Sequence, residues 1–292
     1  MKQLYLLLMT VVCMACATNR TGFVNTPDGG RIYYEERGKG ETVLLLHGHS
    51  LDCRMWDKQW GPMGRRYHVV RMDFRGYGRS SDQREDLQMT HVDDVVTLMD
   101  SLHLSKAHVV GLSMGAFVAG DMLAMYPERL ASCTLASGGI RNSPGPSEPM
   151  DREESSRRDR EIATLKEKGI DQMKREWTEQ LISSGGSRRE RMRRSLTRMI
   201  SDWTAWQPLH KEVRLFYGRE AWQQLKERGK VDVPLLMIRG ANELKGKRSE
   251  PAEMKYTTRG RFVVVEDCGH MLNMERPREF NRSVLEFIGQ QK

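Results

Sequence analysis

Ala107-His-Val-Val-Gly-Leu-Ser-Met-Gly-Ala116 is the stretch of this 292-residue chain whose reading decides the fold. Its first half, Ala107 to Gly111, is an apolar run stopped by glycine, the pattern of a strand buried on both faces. Its second half opens the small, apolar, helix-like stretch Met114 to Met125, which stops at Tyr126-Pro127. Between them Gly111-Leu-Ser-Met-Gly115 fits G-x-S-x-G in the strand–turn–helix context that gives the motif meaning. A serine held there sits on a sharp turn, so small residues must stand two positions to either side. Its hydroxyl also lies at a helix N-terminus, where N–H groups and the dipole favour developing negative charge.

The same two patterns recur along the chain. Apolar runs at Thr42–Leu46, Tyr67–Asp73, Leu130–Ala136, Val233–Gly240 and Arg261–Glu266 predict further strands. Two short β-like runs flank the turn Thr26-Pro-Asp-Gly-Gly30. Helical spacing places Val92, Val95, Val96 and Met99 on one face behind a cap at Thr90, and Pro277 to Ile288 closes the chain. Strands alternating with helices predict an α/β fold with a mostly parallel sheet flanked by helices. From Arg141 to Lys230 the alternation stops. A Pro- and Gly-rich loop leads there into charged, helix-favouring stretches with Trp177, Trp203, Trp206 and Trp222, which predicts a helical cap insertion.

A serine hydroxyl needs a base. Of the eight histidines, His270 lies after the last predicted strand, in Asp267-Cys-Gly-His270, where the sites of α/β folds gather. A carboxylate should hold the imidazole, in the chain order Ser, acid, His. Glu243 follows the run Val233–Gly240 and is the expected acid; Glu250 and Glu253 lie farther on in a helix-like stretch. Two backbone donors should hold the oxyanion. One is the N–H of Met114. The other comes from His47-Gly-His-Ser50, with the N–H of His49 the expected donor. No cofactor or metal is called for, because no cysteine or histidine pair has zinc spacing.

The first residues are unlike the rest. Lys2 is the only charge before Arg20, and Leu4 to Val12 is apolar, too short to span a bilayer but right for a signal peptide. Ala15-Cys16 resembles the cleavage box of bacterial lipoproteins, although Cys13 replaces its usual leucine, and Ala15-Cys-Ala17 also suits ordinary signal peptidase. The expectation is residues 1–15 as a signal peptide and export to the periplasm or cell surface, with a lipid on Cys16 as membrane anchor. The mature chain of 277 residues then divides into a core, 16–140 and 231–292, and a cap, 141–230. Cys53, Cys133 and Cys268 remain, read as partly buried free thiols.

Composition excludes a multi-span membrane protein, a collagen and a low-complexity chain, with 38% apolar and 29% charged residues. The formal charge is +8, but Arg141–Lys230 alone carries 21 Lys+Arg against 15 Asp+Glu. The basicity belongs to the cap. The run Arg188-Arg-Glu-Arg-Met-Arg-Arg194 comes with no nucleic-acid motif, so it reads as a solvated helix face or a contact with anionic lipid.

Together Leu44-Leu-Leu-His-Gly48, Asp73-Phe-Arg-Gly-Tyr-Gly-Arg-Ser80, Gly111-Leu-Ser-Met-Gly115, Pro234-Leu-Leu-Met-Ile-Arg-Gly240 and Cys268-Gly-His270 resemble the α/β-hydrolase superfamily, in its branch of serine esterases, enol-lactonases and haloperoxidase-like enzymes. The resemblance covers about Gly22 to Ile288. It implies a helical cap shaping an acyl pocket, a triad of Ser113, His270 and Glu243, and an oxyanion hole at His49 and Met114. It departs from the family at Glu243, usually Asp, at Pro251, later than the usual proline, and at Arg239, usually apolar. Serine at 113, not Asp, argues against haloalkane dehalogenases and epoxide hydrolases. The loop after Gly48 lacks the Gly-Pro of proline iminopeptidases. The implied activity is hydrolysis of a small to medium ester, lactone or thioester. The alternatives are a ligand-binding sensor, or a C–C hydrolase or acyltransferase using the same residues.

Overall fold

The computed structural model describes residues 19–87, 89–145, 148, 150–211, 215–246 and 249–291. The expected leader and Cys16 lie outside the described residues. Eight strands form one sheet: β1 (Arg20–Asn25), β2 (Arg31–Arg37), β3 (Thr42–Leu46), β4 (His68–Met72), β5 (Ala107–Leu112), β6 (Leu130–Ala136), β7 (Leu235–Gly240) and β8 (Gly260–Val265). Their order is β1-β2-β4-β3-β5-β6-β7-β8. β2 is antiparallel to both β1 and β4, and every pair from β4 to β8 is parallel.

The uninterrupted apolar runs are explained by burial on both faces. Along β3, Leu44 and Leu46 enter one core and Val43 and Leu45 the other. Leu235 and Met237 of β7 split from Leu236 and Ile238 in the same way. The period of two sorts side chains to opposite faces even where every residue is apolar.

Ten helices cover the faces: α1 (Asp57–Gly64), α2 (His91–Ser101), α3 (Met114–Met125), α4 (Arg152–Lys168), α5 (Ile170–Ser183), α6 (Arg193–Asp202), α7 (Trp206–Leu209), α8 (Arg219–Arg228), α9 (Leu272–Glu275) and α10 (Pro277–Gly289), counted among the described residues. Thr90 caps α2 by accepting from the Asp93 N–H. Between β6 and β7 the described elements are helical, α4 to α8. They do not form one layer. Ala221 and Leu225 of α8 join the core under α2 and α3, whereas Leu181, Ile182, Leu196, Met199 and Ile200 of α5 and α6 close the other core. α1 has no counterpart in the sequence reading. Gly61, Pro62 and Gly64 argue against a helix there, but Trp60 and Met63 are buried beside α10, and Gln59 donates to the Asn273 carbonyl at 3.1 Å. Tertiary packing outweighs local propensity. Cys53, Cys133 and Cys268 are free and fully buried rather than partly so. Among the described residues, no helix is long and apolar enough to cross a membrane.

Candidate active site

Ser113 stands between β5 and α3 with φ 55° and ψ −114°. A non-glycine residue in that region costs about 1–3 kcal/mol, and such strain gathers at functional sites. The flanking glycines are a steric requirement. A Cβ on Gly115 would lie 2.1 Å from the Leu46 carbonyl oxygen, and one on Gly111 2.0 Å from that of Gly115. α3 therefore starts close against β3 and lifts Ser113 over the carboxyl ends of the strands. The Ser113 N–H donates to Ala136 at 2.9 Å, tying the turn to the end of β6.

The residue that follows β6 is Ser137, whose Oγ donates to Glu243 Oε2 at 2.6 Å. Glu243 follows β7 and accepts there also from the Gly240 N–H at 3.2 Å. Its other oxygen, Oε1, lies 2.6 Å from His270 Nδ1, beyond the end of β8. The three residues thus stand at the carboxyl ends of β5, β7 and β8, with Ser137, after β6, holding Glu243. Because a carboxylate only accepts, Nδ1 carries the proton and Nε2 is left as the basic nitrogen. Burial pushes the Glu243 carboxyl up, but the bond and charge of His270, with Ser137 and Gly240, outweigh it and hold the group below its usual range.

The loop after β3 is fixed by His47. Its Nε2 accepts from the Phe74 N–H at 3.0 Å, so Nδ1 carries the proton and donates to the Gly48 carbonyl at 2.8 Å. His49 turns into the cavity beside Ser113. Its Nδ1 lies 2.7 Å from the Tyr77 hydroxyl, which also reaches Met114 Sδ at 3.3 Å. Its ring meets Trp203 edge-on at 5.0 Å and Trp177 at 6.2 Å. Burial, with His47 nearby, lowers His49 to about 4, so it is neutral near pH 7. The backbone N–H groups of His49 and Met114 have no protein acceptor among the described residues. As the first residue of α3, Met114 has no acceptor within its helix.

Ser113, His49 and Met114 line a cavity of about 500 Å³ that runs under the insertion to Trp206, Arg141 and Phe216. Three of the four insertion tryptophans reach this region. Trp177 Nε1 donates to Ser50 Oγ at 2.6 Å, and Trp203 stacks on Tyr77 at 6.2 Å. Trp222 instead packs against Tyr256 at the sheet. Sequence reasoning missed Ser137, Tyr77 and Arg141. Ser137 and Arg141 follow the strand ending at Ala136, so the rule that sites gather at strand ends would have reached them.

Several known proteins are similar to this chain. A dihydrolipoyllysine-residue acetyltransferase component of the acetoin cleaving system of Cupriavidus necator is 37% identical, over 38% of this chain and 30% of its own length. A 2-hydroxy-6-oxononadienedioate/2-hydroxy-6-oxononatrienedioate hydrolase of Paraburkholderia phymatum is 27% identical over 96% of this chain and 99% of its own. The solved structure of a thermophilic esterase from Thermogutta terrifontis superposes with a TM-score of 0.68 at 24% identity, covering 93% of this chain and 99% of that one. Residues 43–283, from β3 into α10, match the profile of the alpha/beta hydrolase family, and the chain belongs to that family.

Proposed function

We propose that the protein is a serine hydrolase that cleaves a small to medium ester, lactone or thioester through an acyl-enzyme. The observation that carries this reading is the 2.6 Å bond from Glu243 to His270 Nδ1, at the same end of the sheet as a serine on a strained turn. His270 Nε2 takes the Ser113 proton as the oxygen bonds to the substrate carbonyl carbon. The Met114 and His49 N–H groups hold the resulting oxyanion, each such donor being worth roughly 3–4 kcal/mol in the transition state. Collapse breaks the bond to the leaving group, which takes the proton from His270. Water, deprotonated by His270, then attacks the acyl carbon and releases the acid and Ser113. The insertion from α4 to α7 acts as a lid over the acyl side.

The test is turnover of short p-nitrophenyl esters and labelling by a fluorophosphonate probe. Both should vanish in Ser113→Ala, and equal turnover in that variant would overturn the reading. A second reading, cleavage of a C–C bond beside a carbonyl, is favoured by the relative named as a hydrolase of a hydroxy-oxo dioate. Turnover of such oxo acids without turnover of esters would select it. We also propose export and a lipid anchor on Cys16, which the leader pattern supports. Incorporation of a labelled fatty acid, lost in Cys16→Ser, tests this.

A further inference from the structure

Arg141 lines the cavity that holds Ser113. Its guanidinium carbon lies 5.1 Å from the centre of the Phe117 ring and 4.9 Å from that of Phe216. Phe117 is on α3, one turn beyond the nucleophile and about 6 Å along the axis. Two aromatic rings fix the guanidinium while its N–H groups, which lie in its plane, keep their hydrogen-bonding capacity.

Of the other cations of the cavity, Arg158 and Lys211 are occupied and Arg157 is largely exposed. Arg158 donates to the Gln207 and His210 carbonyls and to Glu161, and Lys211 pairs with Asp159 at 3.1 Å. Arg157 lies 3.9 Å from Glu161. Arg141 has no oxygen acceptor among the described residues. Its charge acts on Asp121, buried under α3, which spends Oδ2 on the Tyr217 N–H at 2.7 Å, and Glu154 and Glu161 line the same cavity. A partly buried guanidinium without an oxygen partner is costly unless something completes it.

We infer that Arg141 binds a carboxylate on the acyl part of the substrate, so that the enzyme acts on esters or lactones derived from dicarboxylic or oxo-carboxylic acids. This rests on the acyl-transfer reading of Ser113. The planar fork of arginine matches a carboxylate with two parallel hydrogen bonds. Held over the ring of Phe117, the side chain one helical turn beyond Ser113, that pair orients the scissile carbonyl from the far end of the acyl chain. Phe117 and Phe216 receive the methylenes between.

The experiment compares mono-p-nitrophenyl adipate with p-nitrophenyl hexanoate, which differ by the terminal carboxylate. The wild-type enzyme should favour the adipate in kcat/KM at least tenfold. In Arg141→Gln the ratio of the two values should fall at least tenfold, chiefly through KM for the adipate. Arg141→Lys, which keeps the charge but not the fork, should lie between. A wild-type preference for hexanoate, or a ratio unchanged in Arg141→Gln, overturns the inference. Calorimetric binding of adipate to Ser113→Ala, with and without Arg141→Gln, separates this from the reaction itself. Adipate bound by Arg141 with no ester cleaved keeps the carboxylate site and overturns the hydrolase reading. Esters cleaved without adipate binding keep the hydrolase reading and overturn the site. If Arg141→Gln does not fold, the wild-type ratio, adipate binding to Ser113→Ala and the Arg141→Lys variant still decide.

Discussion

Glu243 uses both carboxylate oxygens, one on His270 Nδ1 and one on Ser137 and Gly240. An amide in its place offers the imidazole a donor as readily as an acceptor, and so lets the wrong tautomer form. Glu243→Gln should therefore lower kcat on esters by a factor on the order of 10⁴ if the three residues act as proposed. Steady-state rates with the fold checked by circular dichroism measure this, and a loss under tenfold would remove Glu243 from the mechanism. The residue was legible from its place after β7. That a glutamate reaches the histidine where the family usually has aspartate was not. Its extra methylene reaches His270 while a short 3₁₀ turn, Ala241–Leu244, carries its backbone. His49 shows the converse. Its place after β3 was legible, but its setting among Tyr77, Trp177 and Trp203 depends on side chains 28 to 154 positions away.

The element that sets the site is the β5–turn–α3 unit, whose glycines let helix and sheet approach within backbone contact. Gly115→Ala forces a Cβ to 2.1 Å from the Leu46 carbonyl oxygen, backbone that cannot swing aside. It should destabilise the fold by roughly 1–3 kcal/mol or more, as overpacking does, and displace Ser113. Urea unfolding gives the first, and loss of fluorophosphonate labelling the second. A stable, fully labelled Gly115→Ala protein would contradict this packing. The motif was readable because its glycines are required locally. α1 was not readable, because Gly61, Pro62 and Gly64 crowd the short stretch Asp57-Lys-Gln-Trp-Gly-Pro-Met-Gly64 with residues that oppose a helix. It forms because Trp60 and Met63 are buried beside α10, which lies some two hundred residues on.

At the scale of the whole molecule, Asp121 joins the sheet-covering α3 to the insertion by accepting from the Tyr217 N–H. Burial raises its carboxyl from 3.8 to about 7, against the Tyr217 and Gly218 N–H groups and Arg141. The folded chain then keeps a proton that the unfolded chain releases, so this group makes stability fall as pH rises from 3.8 to about 7. Asp121→Asn keeps an acceptor for Tyr217 and removes the titration. Its midpoint of urea unfolding should change less between pH 4.5 and pH 7 than the wild-type midpoint does, a window chosen to bracket that shift. An equal change in both proteins would show that Asp121 does not titrate in this way. The sequence by itself determined the strands, the sheet class and the places of Ser113, Glu243 and His270 after strand ends, because buried parallel strands need continuous apolar runs and their ends gather the polar residues of the candidate site. Tertiary structure decided which side chains complete it. The partnership of Ser137 with Glu243, the aromatic walls around His49, the attachment of α8 to the core and the clamp on Arg141 join segments far apart in the chain. No local pattern encodes such contacts, since they arise only when both cores close on the sheet.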